Sequence, residues 1–403
     1  MTERLYYDNA YLTDFEARIT QSRVEKGEHW VALDQSAFYP TSGGQPFDTG
    51  TLTWEGHTLA VTDVTVDDQG VVWHRVDGML PPDAAVTGRI DWARRFDHMQ
   101  HHAGEHILAG CLHQLFGGFT HGLHIGQAFN TIDVTMPEGV LRLTEAQMAE
   151  VEALANRRIQ QDAPMRAWFP NEQEMAELPL RKDPTVDSHV RVVAAGDYEM
   201  VACGGTHPSS TGQIGLVKLL DTQPARGKMR VSFVCGMRAL QHYQGIYENA
   251  RQAGALLSAP ADLLAPAVER LQGEQAELRQ RLQALQGQMA DMQAEALLIK
   301  ARPLEDGARL VTSYEQALDA EGLRTLAARL TRQPRVIALL AAPREQGCLL
   351  LFARSQELTH DMAALLRQAG GRGGGKPDFA QGSGADAGVL DRAANALGRP
   401  AAG

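Results

Sequence analysis

The sequence predicts an α+β protein of several domains: an antiparallel β-barrel over residues 1–90, an α+β domain over 91–245, a long coiled-coil-like helical segment over 246–303 and an α/β domain over 304–403. Three observations carry this division. Leu52 to Val76 alternates apolar and polar residues and is broken at Asp67-Asp68-Gln69-Gly70, which reads as strands joined by a turn. From Asp91 onward Phe96, Ile107, Cys111, Leu112 and Phe116 fall at helical spacing with no intervening proline. Between Leu264 and Ile299 apolar residues keep an unbroken 4-3 alternation through Val268, Leu271, Leu278, Leu282, Leu285, Met289 and Met292.

Each element then has its own reason. A second helix of the middle domain starts at Thr144, whose hydroxyl can cap the run LTEAQMAEVEALANRRIQQ. Strand-like runs surround the helices at 127–136, 189–196, 214–222 and 229–236. In the long helix Gln275 interrupts the apolar seam, as polar seam residues that fix register do. The seam fits either a coiled coil with another helix or a helix folded back on its own domain. Pro303 is read as the helix end. Beyond it a helix at Leu318–Leu330 leads to strands 336–342 and 348–355, a helix at 358–370, a glycine-rich run and a last short helix near Val389–Leu397.

Composition narrows the function classes. At 403 residues, 44% apolar and 22% charged, the chain reads as a soluble globular protein. Its longest apolar stretch, Val336–Ala342, falls far short of the roughly 18–20 residues of a membrane span, so no membrane partner is expected. The first residues, MTERLYYDNAYLTDF, carry charges and aromatics where a signal peptide would be apolar, and a cytoplasmic location is expected. Four cysteines cannot form a disulfide framework. Cys111, Cys235 and Cys348 sit in apolar runs, whereas two glycines follow Cys203. The net charge of −11 argues against a partner bound over the whole surface by charge, and leaves a local basic face open.

The chemistry concentrates in three places. Seven of the 14 histidines lie between His98 and His124, and His98, His102 and His106 recur every four residues on one helix face. Two imidazoles one turn apart can close on one zinc ion, although such pairs also occur as plain surface faces. Cys203-Gly204-Gly205-Thr206-His207 places a thiol and an imidazole four apart across glycines that allow close backbone approach. The two pairs together supply four donors suited to tetrahedral zinc. The third place is Phe38-Tyr39-Pro40-Thr41-Ser42-Gly43-Gly44-Gln45-Pro46, a tight turn able to bring backbone and one amide to a ligand.

Taken in order, FYPTSGGQPFDTG, HHAGEHIL and CGGTH resemble the AlaX-type alanyl-tRNA editing proteins and the editing domain of alanyl-tRNA synthetase. HIGQAFNTIDV and RVSFVCGMRAL are similar to further segments of that family, and GGGKPDFAQGSG resembles the signature of the DHH-associated domain. No aminoacylation half is read in this sequence; the long form of the family is the best match. The resemblance implies a zinc-dependent deacylase that hydrolyses the ester of serine or glycine on alanine tRNA. It implies one Zn²⁺ on His102, His106, Cys203 and His207, and catalytic roles for Gln127, Thr206 and His207. It further implies substrate contacts at Gly43, Gly44, Gln45, Ala103, Asp133, Gly204 and Gly205, and tRNA contacts at Arg367, Arg372 and Lys376 in the last domain. The partner is the acceptor end of alanine tRNA, and a homodimer through the long helix or the C-terminal domain stays open. Ala103 stands where the family commonly has Thr or Ser, and Glu105 is also a departure. Ala103 equally stands where a metallopeptidase His-Glu-x-x-His would need its glutamate. Gly370 to Lys376 has phosphate-loop spacing, but Pro377 replaces the required hydroxyl and a helix precedes it, so nucleotide hydrolysis is rejected. The rival class is a zinc-stabilised RNA-binding or dimerisation module without turnover.

Overall fold

Alternation along the N-terminal strands puts one face of each into a common interior. In the computed structural model, which describes residues 1–184 and 189–398, six strands close a barrel: β1 (Asp14–Glu25), β2 (Glu28–Leu33), β3 (Gly50–Trp54), β4 (His57–Val66), β5 (Val72–Val76) and β6 (Ala85–Ile90). Their order is β1-β2-β5-β4-β3-β6, every neighbour antiparallel. β1 buries Phe15, Ala17 and Ile19 at every second position, and β6 buries Val86 and Ile90 likewise. Between the latter two, a Cβ at Gly88 would stand 2.4 Å from the Phe15 ring, so glycine makes room for that ring. Register shifts beside Ile19 and Val61 add the bend that closure requires.

Helix α1 (Trp92–Phe116) follows at once. The Asp91 side chain accepts the Arg94 N–H at its start, and Gly117, left-handed at φ 67°, returns its N–H to His113 O at its end. The helix is buried on most of its surface by Met99, Ala103, Ile107, Leu108, Cys111 and Leu112. It lies among the sheet β12-β13-β8-β7, built from β7 (Phe119–Ile125), β8 (Asn130–Thr135), β12 (Val217–Ala225) and β13 (Lys228–Cys235), and helix α2 (Glu145–Gln160). Thr144 and Gln147 form the reciprocal cap of α2. A small sheet of β9 (Met165–Trp168), β10 (Val192–Ala195) and β11 (Glu199–Ala202) delivers the chain to the cysteine loop.

Barrel and α+β domain form one compact unit, Met1–Gln252. A buried contact helps tie them: Arg95, wholly buried, donates from Nε to Asp48 Oδ2 at 2.9 Å and from Nη1 to Ala10 O at 2.8 Å. Tyr39 N–H donates to the same Asp48 oxygen at 2.7 Å, so the first turn of α1 fixes both ends of the segment carrying Gly43-Gly44-Gln45.

The boundary drawn at 245 falls inside helix α3 (Gly236–Leu257), which begins directly after β13. The second compact unit starts at Ala253. In it, helix α4 (Leu264–Ile299) spans 36 residues and ends before Pro303, which stands in a short strand. The apolar seam of α4 is mostly exposed: Leu271, Leu278, Leu282, Leu285, Met289 and Met292 face outward. The face that packs is another one. Ala294 lies against Leu323, Leu326, Ala327 and Leu330 of helix α5 (Ala320–Leu330), with an Asp291–Arg329 ion pair alongside. The C-terminal sheet, β14-β15-β16-β17-β19-β18, consists of β14 (Arg302–Pro303), β15 (Arg309–Tyr314), β16 (Val336–Pro343), β17 (Cys348–Arg354), β18 (Arg372–Lys376) and β19 (Phe379–Gly384). Helices cover both faces, which is why β16 is a continuous apolar run rather than an alternating one. Among the described residues no helix is long and apolar enough to cross a membrane.

Candidate metal centre

Helical pitch brings His102 and His106 to one face of α1, and the loop after β11 carries Cys203 and His207 up to them. His102 Nε2 lies 3.3 Å from Cys203 Sγ, His207 Nε2 lies 3.7 Å from it, and His106 Nε2 lies 3.1 Å from His207 Nε2. All four donor atoms fall within 4.8 Å of one another. A tetrahedral ion with bonds of about 2.0–2.3 Å requires donors about 3.3–3.7 Å apart, so the group has the right size.

The electrostatics agree with a cation site. Burial drives the His102 imidazole down to about 4, and His106 and His207 well below their usual range, leaving three neutral lone-pair donors. The same burial raises the Cys203 thiol to about 12. Three imidazole nitrogens and a sulfur crowded in a buried space satisfy one another poorly; a divalent ion would use every lone pair and deprotonate the thiol. The residues present therefore fit a metal ion.

Two side chains hold this arrangement. Gln45 is wholly buried; its Oε1 accepts from His102 Nδ1 at 2.8 Å and from Thr206 N–H at 3.2 Å, while Nε2 donates to Thr206 Oγ1 at 2.7 Å. With its proton on Nδ1, His102 presents a bare Nε2 to the other donors. Arg191 NH1 donates to Cys203 O at 3.2 Å and Gly205 O at 2.8 Å, with its guanidinium over the Tyr7 ring. A Cβ on Gly205 would stand 2.1 Å from the His102 ring, so this loop must be glycine there.

Three of the donors, His102, His106 and Cys203, open onto a cavity of about 430 Å³. Gly43, Gly44, Gly204 and Gly205, which the sequence places beside substrate as an expectation, line it. Other expected contacts are elsewhere. Ala103 is wholly buried in the hydrophobic core, because one residue of helix turns it away from His102's face. Gln127 is exposed in the turn between β7 and β8 and does not line the cavity. Asp133 is paired with Arg230 at 2.7 Å on the β8–β13 sheet. Gln45 and Thr206 spend their polar atoms on each other and on His102, so both support the donors rather than face the cavity. His207 belongs to the donor group. Arg367, Arg372 and Lys376 are exposed in the second unit. The glycine-rich run there is a regular hairpin, β18–β19, in which Cβ atoms on Gly373 and Gly375 would meet strand β19 at 2.3 and 2.1 Å.

Of the remaining clustered histidines, His101 is structural: Nδ1 donates to Asp97 O at 2.7 Å and Nε2 accepts the Cys235 N–H at 3.2 Å. The sequence reading did not assign Arg181, Lys182 or Arg191 to the site, and noted Glu105 only as a departure; all but Arg191 line the cavity. The signal available for Glu105 was its place one turn beyond His102, on the donor side of the helix. Burial pushes the Glu105 carboxyl up to about 7, opposed by Arg181.

Three family models match the chain: tRNA synthetases class II (A) over residues 2–94, the Threonyl and Alanyl tRNA synthetase second additional domain over 190–232, and the DHHA1 domain over 307–400. Alanine–tRNA ligases of Pyrococcus abyssi and Pyrobaculum neutrophilum are 32% and 35% identical, each over 94% of this chain and 42% of the ligase. The chain thus spans less than half the length of those relatives. The alanyl-tRNA editing protein AlaX-L of Pyrococcus horikoshii is 29% identical over 95% of this chain and 94% of its own. The chain is thus similar along nearly all its length to an AlaX-type alanyl-tRNA editing protein, and family models match three separate stretches of it.

Proposed function

We propose that the chain removes a wrong amino acid, serine or glycine, from alanine tRNA by hydrolysing the ester at the tRNA 3′ end, with one zinc ion on His102, His106, Cys203 and His207. The observation that carries this reading is the convergence of those four donors beside a glycine-lined cavity, in a chain matched over 95% of its length by an editing protein. An aminoacyl ester is already activated, so a positioned water and charge stabilisation suffice and no covalent nucleophile is needed. Zinc supplies Lewis acidity there, toward water or toward the substrate. Around it the chain's own residues do the positioning. Gly43, Gly44, Gly204 and Gly205 leave the wall low enough for the ester and terminal ribose. Arg181 and the exposed Lys182 place positive charge beside the cavity, where acceptor-end phosphates would approach. Arg367, Arg372 and Lys376 would add phosphate contacts from the second unit, and the exposed seam of α4 suits a second copy of the chain.

The test is deacylation of Ser-, Gly- and Ala-charged alanine tRNA by catalytic amounts of protein, with zinc measured per chain. Loss of serine or glycine with alanine spared is expected. Equal rates on all three, or no ester loss with stoichiometric zinc, would refute editing. Cys203→Ala should lower zinc content well below one per chain; unchanged content would refute the ligand set. Four protein donors complete a tetrahedral shell, which favours a second reading in which zinc only braces the fold. Stoichiometric zinc without turnover would establish that alternative.

A further inference from the structure

Beside the donors stands a carboxylate that the metal does not need. Glu105 follows His102 by three residues on α1, lines the cavity, and is not one of the converging donors. Its surroundings are held by other side chains. Thr120, from β7, and Arg181 line the cavity with it. Thr120 Oγ1 accepts from Arg181 NH1 at 3.3 Å, and Arg181 Nε donates to the buried Glu199 at 2.6 Å. So Glu199 fixes Arg181 and Arg181 fixes Thr120, and the wall that Glu105 shares is built from side chains held by one another, which is how the surroundings of a contact group are preorganised. The only other carboxylate lining the cavity among the described residues is Asp183, which is exposed.

What such a group can recognise follows from charge. The reacting end of an aminoacyl-tRNA is an ester whose one fixed cation is its α-ammonium, and it lies two bonds from the scissile carbonyl. A group held at the zinc donors therefore brings that ammonium within a few ångströms of its reacting carbon. We propose that Glu105 is the contact for the α-ammonium of the aminoacyl group, and that it makes the cavity selective for a free amine over a blocked one. This rests on the reading of the cavity as the aminoacyl site. The contact needs no proton transfer: the carboxylate accepts N–H bonds from the ammonium and orients the ester toward the donors.

The test separates this contact from turnover. Binding of 3′-(seryl)amino-3′-deoxyadenosine, an uncleavable amide mimic, and of its N-acetyl derivative is measured on the zinc-loaded full chain. The wild type should favour the free amine by about 10–100-fold, the range of a charge-assisted hydrogen bond. Glu105→Gln should erase that preference with zinc content unchanged, while Glu105→Asp, which keeps the charge, should retain part of it. Equal affinity of the wild type for the two mimics, absence of binding, or loss of the preference in Asp183→Asn instead of Glu105→Gln would each overturn the proposal. Absence of deacylation, with the preference intact, would overturn the editing reading and leave the ammonium contact standing.

Discussion

Replacing Gln45 by alanine tests how much of the metal centre is built by a residue that does not touch the metal. The side chain makes three buried hydrogen bonds, one to His102 Nδ1 at 2.8 Å and two to Thr206 at 3.2 and 2.7 Å. Its removal strands the Thr206 N–H, the Thr206 hydroxyl and the His102 Nδ1–H, each costing about 1–3 kcal/mol unless water enters, so a loss of about 3–9 kcal/mol is expected in the metal-free protein, at the lower end where water enters. With the tautomer of His102 no longer fixed, zinc affinity should fall about 10–100-fold, the usual effect of losing a ligand's outer partner. The assay is competition against a chelator of known affinity, alongside denaturant unfolding with and without zinc. Gln45→Glu keeps an acceptor for His102 and for the Thr206 N–H and loses only the donation to the hydroxyl, so it should lie between the two. A folded Gln45→Ala protein with wild-type zinc affinity would refute the assignment of Gln45 as the group that orients His102.

Three further outcomes are expected. His74, buried in the barrel between Ser36 Oγ and Val31 O, is held near 4 by burial against an ordinary 6.5; the unfolded chain therefore binds its proton first, stability rises with pH between about 4 and 6.5, and acid should remove on the order of 3 kcal/mol at this residue. Urea unfolding of His74→Gln across that window should show a shallower acid limb than the wild type, and an identical limb would contradict this. Gln127→Ala should leave both serine and glycine deacylation within about twofold of wild type, because the residue is exposed in a turn away from the cavity; a serine-selective loss would restore it to the site. Arg372→Ala with Lys376→Ala should reduce the dependence of tRNA affinity on salt by up to about two units of log–log slope and leave the maximal rate unchanged; an unchanged slope would remove hairpin β18–β19 from the RNA contact.

The sequence was most legible where a single period carried the information. Barrel strands alternate because one face is buried, and β16 is continuous because two are, so both could be read directly. The donor group was legible for a related reason: four-residue spacing on a helix and across a glycine loop are local geometries. What escaped depends on contacts far apart in the chain. Arg95 meets Asp48 across 47 residues and Gln45 meets Thr206 across 161, and neither pair has a spacing that announces it. Ala103 illustrates the opposite error. Its neighbour His102 belongs to the site, but one step of helix rotates about 100°, and that is enough to carry Ala103 into the core and leave the cavity wall to Glu105. The seam of α4 shows that periodicity predicts an apolar stripe and not its occupant: the face packed on α5 is lined by alanines, small enough for close helix approach and nearly invisible to a hydrophobic pattern.

The barrel is part of the candidate metal centre rather than a neighbour of it. The converging donors come from α1 and from the loop after β11, yet the proton that decides which nitrogen of His102 is bare sits on a hydrogen bond to Gln45, in the barrel's own loop. That loop is held at Asp48 by Arg95, which lies on α1 only seven residues before His102. The path closes on itself: α1 anchors the loop, the loop orients the ligand that α1 carries, and Gln45 extends the same connection to Thr206 beside His207. A buried Arg–Asp pair gains little net stability over a hydrophobic substitute, because desolvation consumes most of the attraction. Its value here is geometric. Arg95 and Asp48 satisfy each other and three backbone groups, the N–H of Tyr39 and the carbonyls of Ala10 and Ala37, and so hold the loop that carries Gln45. The Gly-Gly-Gln sequence, which alone reads as a tight turn, becomes in this setting the outer shell of a tetrahedral donor group, with Gly43 and Gly44 forming its wall and Gln45 its brace.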